Sequence, residues 1–351
     1  GEVHFLRAFF YFELVKIYGD VPLFTNGRLT AGDSGTLSRV SKSEVYSVIE
    51  SDLLNAIAVL PAKKSMDGRA TSFTAHALLG KVYLYQDKFA EAANILEPLV
   101  GLYTLPSDPS SVFLVDGENG PESVFEIQHS KESNGWNWGW MPQGTEGNFS
   151  VIHHGIRGYN GPVYSSGWSF NVPTQDLVDA YDSGDKRKNA SVLDIVSWAD
   201  ANGAQYNEGY EHTGYFNNKY IPRAGYSKNT TELNYENNFR YIRYADVLLM
   251  AAEANNRGGI SDSKAVNYLN QVRSRAGVSS INESGTSLTQ AIWDERRLEF
   301  AGEGHRFFDL VRTGKAADEI NGFVVGKHEL FPIPQDEIDL AGGNWPQNPG
   351  Y

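Results

Sequence analysis

The sequence predicts a mostly α-helical protein in which helix pairs form a scaffold around an inserted, loop-rich lobe with little β structure. Three observations support this class. Apolar residues recur at helical spacing over residues 1–104, and the same spacing returns from residue 236. Between them the chain is rich in Gly, Asn, Ser, Tyr and Trp. We therefore predict one compact domain made of scaffold over 1–104, the lobe over 105–235, further scaffold over 236–318 and an extended tail over 319–351.

The first helix is predicted from residue 4 to Gly19, and Gly19 and Pro22 end it. The chain enters this helix without a capping residue, so we expect an N-terminal segment, with any export signal or lipid anchor, to be absent from it. The apolar face of the helix is broad and includes Phe5, Ala8, Phe9, Phe12 and Val15.

Three further helices are predicted before residue 104. The second opens with a capping box formed by Ser41 and Glu44 and ends at Pro61. The third and fourth cover about 72–86 and 88–100. In "LLGKVYLYQDKFAEAANILEPL" the small and large residues fall at the offsets of a tetratricopeptide repeat, in which small residues let paired helices approach closely; these residues are Leu79, Gly80, Tyr83 and Ala92.

The lobe carries few regular patterns. "SVFEIQHS" alternates as a strand does, and "VPTQDLVDAYDSGDKRKN" contains one short predicted helix. Long loops in a compact protein are usually functional. After the lobe, "YIRYADVLLMAAEANNRGG" and "SKAVNYLNQVRSRAGV" again have helical spacing. A later helix is predicted to open with a second capping box, Ser287 and Gln290, and the Pro- and Gly-rich tail is predicted to be extended.

Composition excludes several classes of protein. Lys and Arg number 30 against 43 Asp and Glu, which gives a net charge of −13. This balance argues against a nucleic-acid partner and against adhesion to an anionic membrane. The absence of Cys excludes disulfides, thiolate nucleophiles and Cys-ligated zinc. No metal site is predicted, because His153 and His154 are adjacent and on a strand would point to opposite faces.

The densest charge cluster, "DERRLEFAGEGHRFFDLVR", is predicted to be structural. Its opposite charges fall three residues apart, which suits ion pairs on and between helices. A catalytic site would need two carboxylates facing a cleft, and no such pair is recognised, so we predict no catalytic residues and no cofactor. The expected pairs are Asp294 with Arg297, Glu303 with Arg306, and Asp309 with Arg312.

Aromatic residues of the lobe are the candidate ligand-binding residues. "NGWNWGWMPQG" places three Trp at alternate positions, so in an extended chain they project to one face. Flat aromatic faces bordered by amides suit sugar rings, whose C–H faces stack and whose hydroxyls need polar partners. Packing of this face onto the scaffold is the open alternative, because Trp is usually mostly buried. The predicted ligand-binding residues are Trp136, Trp138, Trp140, Trp168, Tyr164, Tyr159 and Asn160.

Four segments of the chain resemble the SusD/RagB family, the surface glycan-binding lipoproteins of Bacteroidota. They are "FLRAFFYFELVKIYGDVPLF", "RYIRYADVLLMAAEA", "ERRLEFAGEGHRFFDLVR" and "LFPIPQDEIDLAGGNWPQNPGY", and together they bracket the whole chain, from near its start to its last residue. In the last segment the linker "LAGGNWP" is looser than is usual in the family. The resemblance implies a mostly α fold on four repeat-like helix pairs, with a variable lobe that binds ligand. Because the family's ligand residues vary, it identifies none of them here.

The resemblance also implies a function. Family members are non-catalytic, lipid-anchored at the extracellular face of the outer membrane, and deliver oligosaccharide or polysaccharide to a SusC-like TonB-dependent transporter. The sequence leaves three alternatives open. The same fold could bind peptide as its import cargo, the helices could serve only as a protein-interaction scaffold, or the lobe could hold a glycosidase, for which the paired carboxylates have no clear candidate.

Overall fold

The computed structural model describes residues 1–25, 27–30, 33–132, 146–228 and 233–351, and within them the protein is mostly helical, as the sequence predicts. The helices, in chain order, are α1 (Glu2–Tyr18), α2 (Lys42–Val59), α3 (Ser72–Leu84), α4 (Phe89–Leu96), α5 (Ser150–His153), α6 (Gln175–Asp179), α7 (Lys186–Ser191), α8 (Ile195–Asn202), α9 (Tyr244–Arg257), α10 (Asp262–Ala276), α11 (Gly285–Glu299), α12 (Arg306–Arg312), α13 (Ala316–Glu319) and α14 (Gln335–Leu340). In the described part of the chain, no helix is both long and apolar enough to cross a membrane.

The strands are short and pair two by two. They are β1 (Val21–Pro22), β2 (Arg39–Val40), β3 (Ser123–Ile127), β4 (Val192–Asp194), β5 (Tyr215–Asn217) and β6 (Phe239–Arg243). β1 pairs with β2, β3 with β6, and β4 with β5, each pair antiparallel. The predicted strand in "SVFEIQHS" is confirmed as β3. The single short helix predicted in "VPTQDLVDAYDSGDKRKN" is wrong, because Thr174 and Asp185 each cap a separate helix, α6 and α7.

The structure divides into two compact units. The first comprises Gly1–Lys64, Arg69–Lys88 and Arg306–Tyr351, and the second comprises Ser65–Gly68 and Phe89–His305. The boundaries predicted from the sequence at residues 104, 235 and 318 stay predictions.

In the first unit α1, α2 and α3 pack against one another through their apolar faces. The predicted face of α1 is confirmed, since Phe5, Ala8 and Phe12 are fully buried. The predicted capping box of α2 is also present. The Ser41 Oγ accepts a 3.4 Å hydrogen bond from the Glu44 N–H, and the Glu44 carboxylate accepts a 3.2 Å bond from the Ser41 N–H.

In the second unit α9 is the central helix. It packs against α4, α10 and α11, and every residue from Tyr244 to Asn256 is buried. A helix that is buried all round is a core element. The second predicted capping box is wrong, because α11 begins earlier, at Gly285 after Ser284. Ser287 therefore lies inside the helix, and the Gln290 side chain donates to Asp294 instead.

A buried ion network joins α11 to α7, to α10 and to the end of β6, where α9 begins. The Glu299 carboxylate accepts hydrogen bonds from Arg243, Arg275 and Arg187. The neighbouring Glu303 carboxylate accepts from Arg243 at 2.8 Å and from Lys219 at 2.6 Å. Burial alone would raise the pKa of Glu299, but the surrounding cations hold that pKa well below its usual range.

This network confirms that the charge-rich block is structural and corrects its expected pairing. Of the three predicted pairs, only Asp309 with Arg312 forms in the described part of the chain, with Arg312 Nη2 2.8 Å from the carboxylate. Arg297 instead donates to Asp176 at the start of α6. Glu303 takes the partners given above, and Arg306 pairs with Glu319. The other two predicted pairs are wrong because the fold brings oppositely charged residues from distant parts of the sequence closer to these side chains.

Candidate functional site

Four aromatic side chains form an exposed cluster on the surface of the second unit: Phe149, His153, Trp168 and Phe170. The ring centroids of His153 and Trp168 lie 4.8 Å apart, and those of Trp168 and Phe170 lie 6.3 Å apart. The His153 ring is also 5.9 Å from Phe149 and 6.0 Å from Phe170. Phe149 and Phe170 are 54% and 55% exposed, and the other two are half-buried. These four residues, called the aromatic cluster below, leave much apolar ring surface in contact with solvent.

Helix α5 supplies one side of the aromatic cluster. Phe149 immediately precedes this single-turn helix and His153 ends it, so the two rings lie four residues apart on one face. The other face of α5 is buried. Val151 and Ile152 pack with Leu233 and Tyr235, and Trp168 lies against the same core. The buried face therefore fixes the helix, which in turn positions Phe149 and His153.

The segment 167–170 supplies the other side and is tied to α5 by backbone hydrogen bonds. The Trp168 N–H donates to the Ile152 carbonyl at 3.0 Å, and the Phe170 N–H donates to the His153 carbonyl at 2.7 Å. This close approach requires glycine on both chains. A Cβ on Gly155 would lie 2.6 Å from the Gly167 Cα, a distance that real Cβ atoms essentially never show.

The backbone on both sides of Phe170 adopts the left-handed region. Ser169 has φ of 61° and Asn171 has φ of 52°. Such conformations are costly for residues other than Gly, although Asn tolerates them, and they concentrate at functional sites. Ser169 is itself buried and its Oγ accepts a 3.1 Å hydrogen bond from the Arg157 N–H. The buried Ser169 thus helps to hold the neighbouring Phe170 in an exposed position.

Arg157 places a charged donor group beside the aromatic cluster. Its guanidinium donates from Nη2 to the Trp168 carbonyl at 2.7 Å, and the residue is exposed. Guanidinium N–H groups donate readily to hydroxyl oxygens. An apolar platform with such a donor at its edge can hold a ligand that has both C–H faces and hydroxyls.

The structure places the predicted ligand residues in different surroundings. Trp168 belongs to the aromatic cluster, whereas Tyr159 and Tyr164 are buried in the core of the lobe with Ile156 and Phe216. The Tyr159 hydroxyl donates to the Pro162 carbonyl at 2.7 Å and accepts from the Trp198 indole at 2.9 Å. The Tyr164 ring packs against Trp198, with ring centroids 5.1 Å apart. Burial raises the pKa of the Tyr164 hydroxyl. Asn160 is exposed, and its backbone pairs with that of Gln205.

Trp136, Trp138 and Trp140 lie outside the described residues. They belong to "NGWNWGWMPQG" (residues 134–144), called the Trp-rich segment below. Described residues before and after this segment are in contact, since the Ser130 N–H donates to the Glu146 carbonyl at 2.9 Å. Asn148 then pairs with Tyr235, and Phe149 follows directly. The Trp-rich segment is therefore joined to the aromatic cluster by a short, hydrogen-bonded connection. The ligand roles of all seven predicted residues stay predictions.

Sequence reasoning missed Phe149, His153 and Phe170. The available signal was the four-residue spacing of Phe149 and His153, which is typical of one helix face. His153 and His154 lie at the end of α5 and not on a strand, the case that the sequence argument considered. Within the described residues, no group of His, Asp and Glu is arranged to hold a metal ion.

Two cavities, one in each unit, are lined by residues outside the aromatic cluster. A cavity of about 620 Å³ in the first unit is lined mainly by apolar side chains, including Phe10, Leu14 and Ile333, and its Arg7 is paired with Asp52. Such a lining suits an apolar group better than a sugar. A cavity of about 310 Å³ in the second unit is lined in part by the buried ion network.

Comparisons with known proteins agree with this architecture. The family model described as "SusD family" matches residues 192–329, and the model described as "Starch-binding associating with outer membrane" matches residues 1–84. The curated SusD-like protein P2 of Formosa agariphila is 29% identical over 382 residues, which cover the whole of this chain and 74% of that protein.

Solved structures are also similar over the full chain. A laminarin binding SusD-like protein has a TM-score of 0.89 and 40% sequence identity, covering 100% of this chain and 78% of the other. Surface glycan-binding protein A from Bacteroides thetaiotaomicron, solved in complex with laminarihexaose, has a TM-score of 0.85 and 30% identity, covering 99% and 77%. Identity of this degree over the whole length, on the fold described above, shows that the chain belongs to the SusD family.

Proposed function

We propose that this protein binds a laminarin-type glucan at the aromatic cluster and performs no chemistry on it. The observation that carries the proposal is the exposed cluster itself, in which strained backbone and buried neighbours hold Phe170 beside Trp168. Sugar rings stack their C–H faces on such rings, and Arg157 offers donors to the hydroxyls. The names of the relatives support laminarin as the ligand, since one is a laminarin binding protein and another was solved with laminarihexaose.

We also propose that the Trp-rich segment adds ligand contacts within a ligand-binding lobe over 105–235. The sequence supports this, because Phe149 of the aromatic cluster follows that segment by only a few residues. Individual substitutions test the remaining predicted ligand residues, which are Trp136, Trp138, Trp140, Tyr159, Tyr164 and Asn160.

The wider role that we propose is delivery of the bound glycan to a SusC-like TonB-dependent transporter. The protein would act at the extracellular face of the outer membrane, held there by a lipid anchor. Membership of the family and the matched description "associating with outer membrane" support this location. Loss of the protein should then slow laminarin uptake by cells, and unchanged uptake would count against delivery.

Calorimetric titration with laminarin and laminarihexaose tests the binding site. Trp168→Ala and Phe170→Ala should each weaken binding about tenfold, the loss that corresponds to roughly 1.4 kcal/mol. The matched control is Ile260→Ala, which truncates a 48% exposed apolar side chain elsewhere in the second unit and should bind as the wild type does. Thermal melting checks that each variant is folded.

The proposal fails if neither glucan binds, or if both cluster variants bind as tightly as the control. Three further measurements separate the alternatives. A peptide that displaces laminarin from the wild type would favour peptide cargo. Release of reducing sugar over time would favour a glycosidase, and tight transporter binding with no affinity for small ligands would favour a scaffold.

A further inference from the structure

One tyrosine next to the aromatic cluster is almost fully exposed. Tyr210 is 91% exposed, although it lies in a turn that is defined by hydrogen bonds. The His212 N–H donates to the Gly209 carbonyl at 3.2 Å and closes the turn, and Glu211 adopts the left-handed region with φ of 56°. Such exposure leaves the aromatic ring accessible to a ligand.

Both ends of this turn are fastened to the segment that builds the aromatic cluster. Before the turn, the Asn207 N–H donates to the Arg157 carbonyl at 2.8 Å. After it, the Thr213 Oγ1 donates to the Pro173 carbonyl at 2.7 Å. The turn therefore runs beside residues 157–173, which include Trp168 and Phe170.

The turn also packs against the side chains of Ser169 and Arg157. A Cβ placed on Gly209 would lie 3.0 Å from the Ser169 Cβ and 3.8 Å from the Arg157 Nε. Ser169 lies between Trp168 and Phe170, and Tyr210 follows Gly209. The exposed Tyr210 thus belongs to a turn that packs against the segment of the aromatic cluster and beside the Arg157 side chain.

We propose that Tyr210 is a second aromatic subsite, which takes the continuation of a neutral glucan chain whose first part stacks on the aromatic cluster. Arg157, which touches both the turn and the Trp168 carbonyl, would donate to hydroxyls between the two subsites. The exposed carboxylates of Glu208 and Glu211 flank Tyr210 and would repel an anionic polysaccharide. This inference rests on the proposed function and adds to it a selection for long, uncharged chains.

Titration with laminari-oligosaccharides from the disaccharide to the hexasaccharide tests the inference. In Tyr210→Ala, affinity for the hexasaccharide should fall about tenfold while affinity for the shortest chain that binds stays unchanged. Tyr210→Phe keeps the stacking ring and should retain the affinity for long chains. Phe170→Ala should weaken binding at every length. Because Tyr210 is so exposed, Tyr210→Ala should melt at the wild-type temperature.

Two outcomes overturn the inference alone. In the first, Phe170→Ala weakens binding at every length while Tyr210→Ala changes nothing. In the second, Tyr210→Ala weakens short and long chains equally, which would make the residue part of the aromatic cluster's subsite. If Phe170→Ala and Trp168→Ala also leave every affinity unchanged, or no laminari-oligosaccharide binds, the proposed function fails and this inference fails with it.

Discussion

At the scale of single residues, the left-handed conformations of Ser169 and Asn171 show that positioning the aromatic cluster costs folding free energy. Each such conformation disfavours the folded state by about 1–3 kcal/mol, and the cost is lower for Asn. The hydrogen bonds of Ser169 and Phe170 to Arg157 and His153 offset that cost. A ring that is merely left at the surface would not need this support, so the strain favours a ligand-binding role for Phe170.

His154 makes the stability of the second unit depend on pH. Burial, together with the neighbouring His153, lowers the pKa of His154 to about 4, against an ordinary value of 6.5. No hydrogen bond reaches its Nδ1 from the described residues. Below pH 6.5 the unfolded chain binds a proton at this position that the folded protein does not. The free energy of unfolding should therefore fall as pH drops from 6.5 to 4, and this loss ends below pH 4.

The variant His154→Phe tests this pH dependence. The phenyl ring cannot be protonated, and it keeps an aromatic ring near Tyr220, whose centroid lies 6.5 Å from that of His154. Between pH 7 and pH 4 the variant should lose about 3 kcal/mol less of its free energy of unfolding than the wild type does. Urea unfolding at both pH values measures the difference, and equal losses in the two proteins would contradict the assignment.

At the scale of elements, the ends of α2 and α11 offer a matched pair of serines. Ser41 caps α2, so Ser41→Ala should lower the free energy of unfolding by about 1 kcal/mol. Ser287 has the same sequence context, with Gln290 three residues later, but lies exposed inside α11. Ser287→Ala should therefore be neutral or slightly stabilising, because Ala is the better helix former. Denaturant melts measure both, and a similar loss in the two variants would show that α11 begins at Ser287.

The same elements show what the sequence could predict. Long helices such as α1 and α9 were predictable because apolar spacing and end signals extend over many residues. The start of α11 was not, since two Ser residues compete to cap it and the polar Ser-x-x-Gln pattern also occurs within helices. Helix α5 is a single turn, too short for periodicity to separate it from a strand.

The candidate site was predictable only in part, for the same physical reason. Trp168 could be proposed from composition, because a loop-rich lobe with many aromatic residues indicates a ligand platform. The burial of Tyr159 and Tyr164 depends on packing with Phe216, about 50 residues away in the chain, which local sequence does not reveal. The contact of Trp168 with His153 likewise depends on the return of the chain at Gly155 and Gly167.

At the scale of the whole molecule, the buried ion network should dominate electrostatic stability. Glu299→Gln would leave Arg243, Arg275 and Arg187 without their shared anion in a buried site. We expect this change to lower the free energy of unfolding by about 3–5 kcal/mol. The control Glu132→Gln removes a carboxylate from an exposed pair with Lys228, 2.7 Å apart, and should cost far less, because solvent screens exposed pairs.

Chemical denaturation of both variants at pH 7 measures the two costs. Equal, small losses would mean that the network contributes no more than an exposed pair. The predicted inequality would instead support the structural role of the charge-rich block.

Determining a crystal structure of this protein with bound laminarihexaose would test the central claim most directly. We predict that sugar rings will stack on Trp168 and Phe170 and that the Arg157 guanidinium will donate to their hydroxyls. A glucan bound in the apolar cavity of the first unit, or anywhere else that leaves the aromatic cluster in contact with solvent alone, would contradict the account.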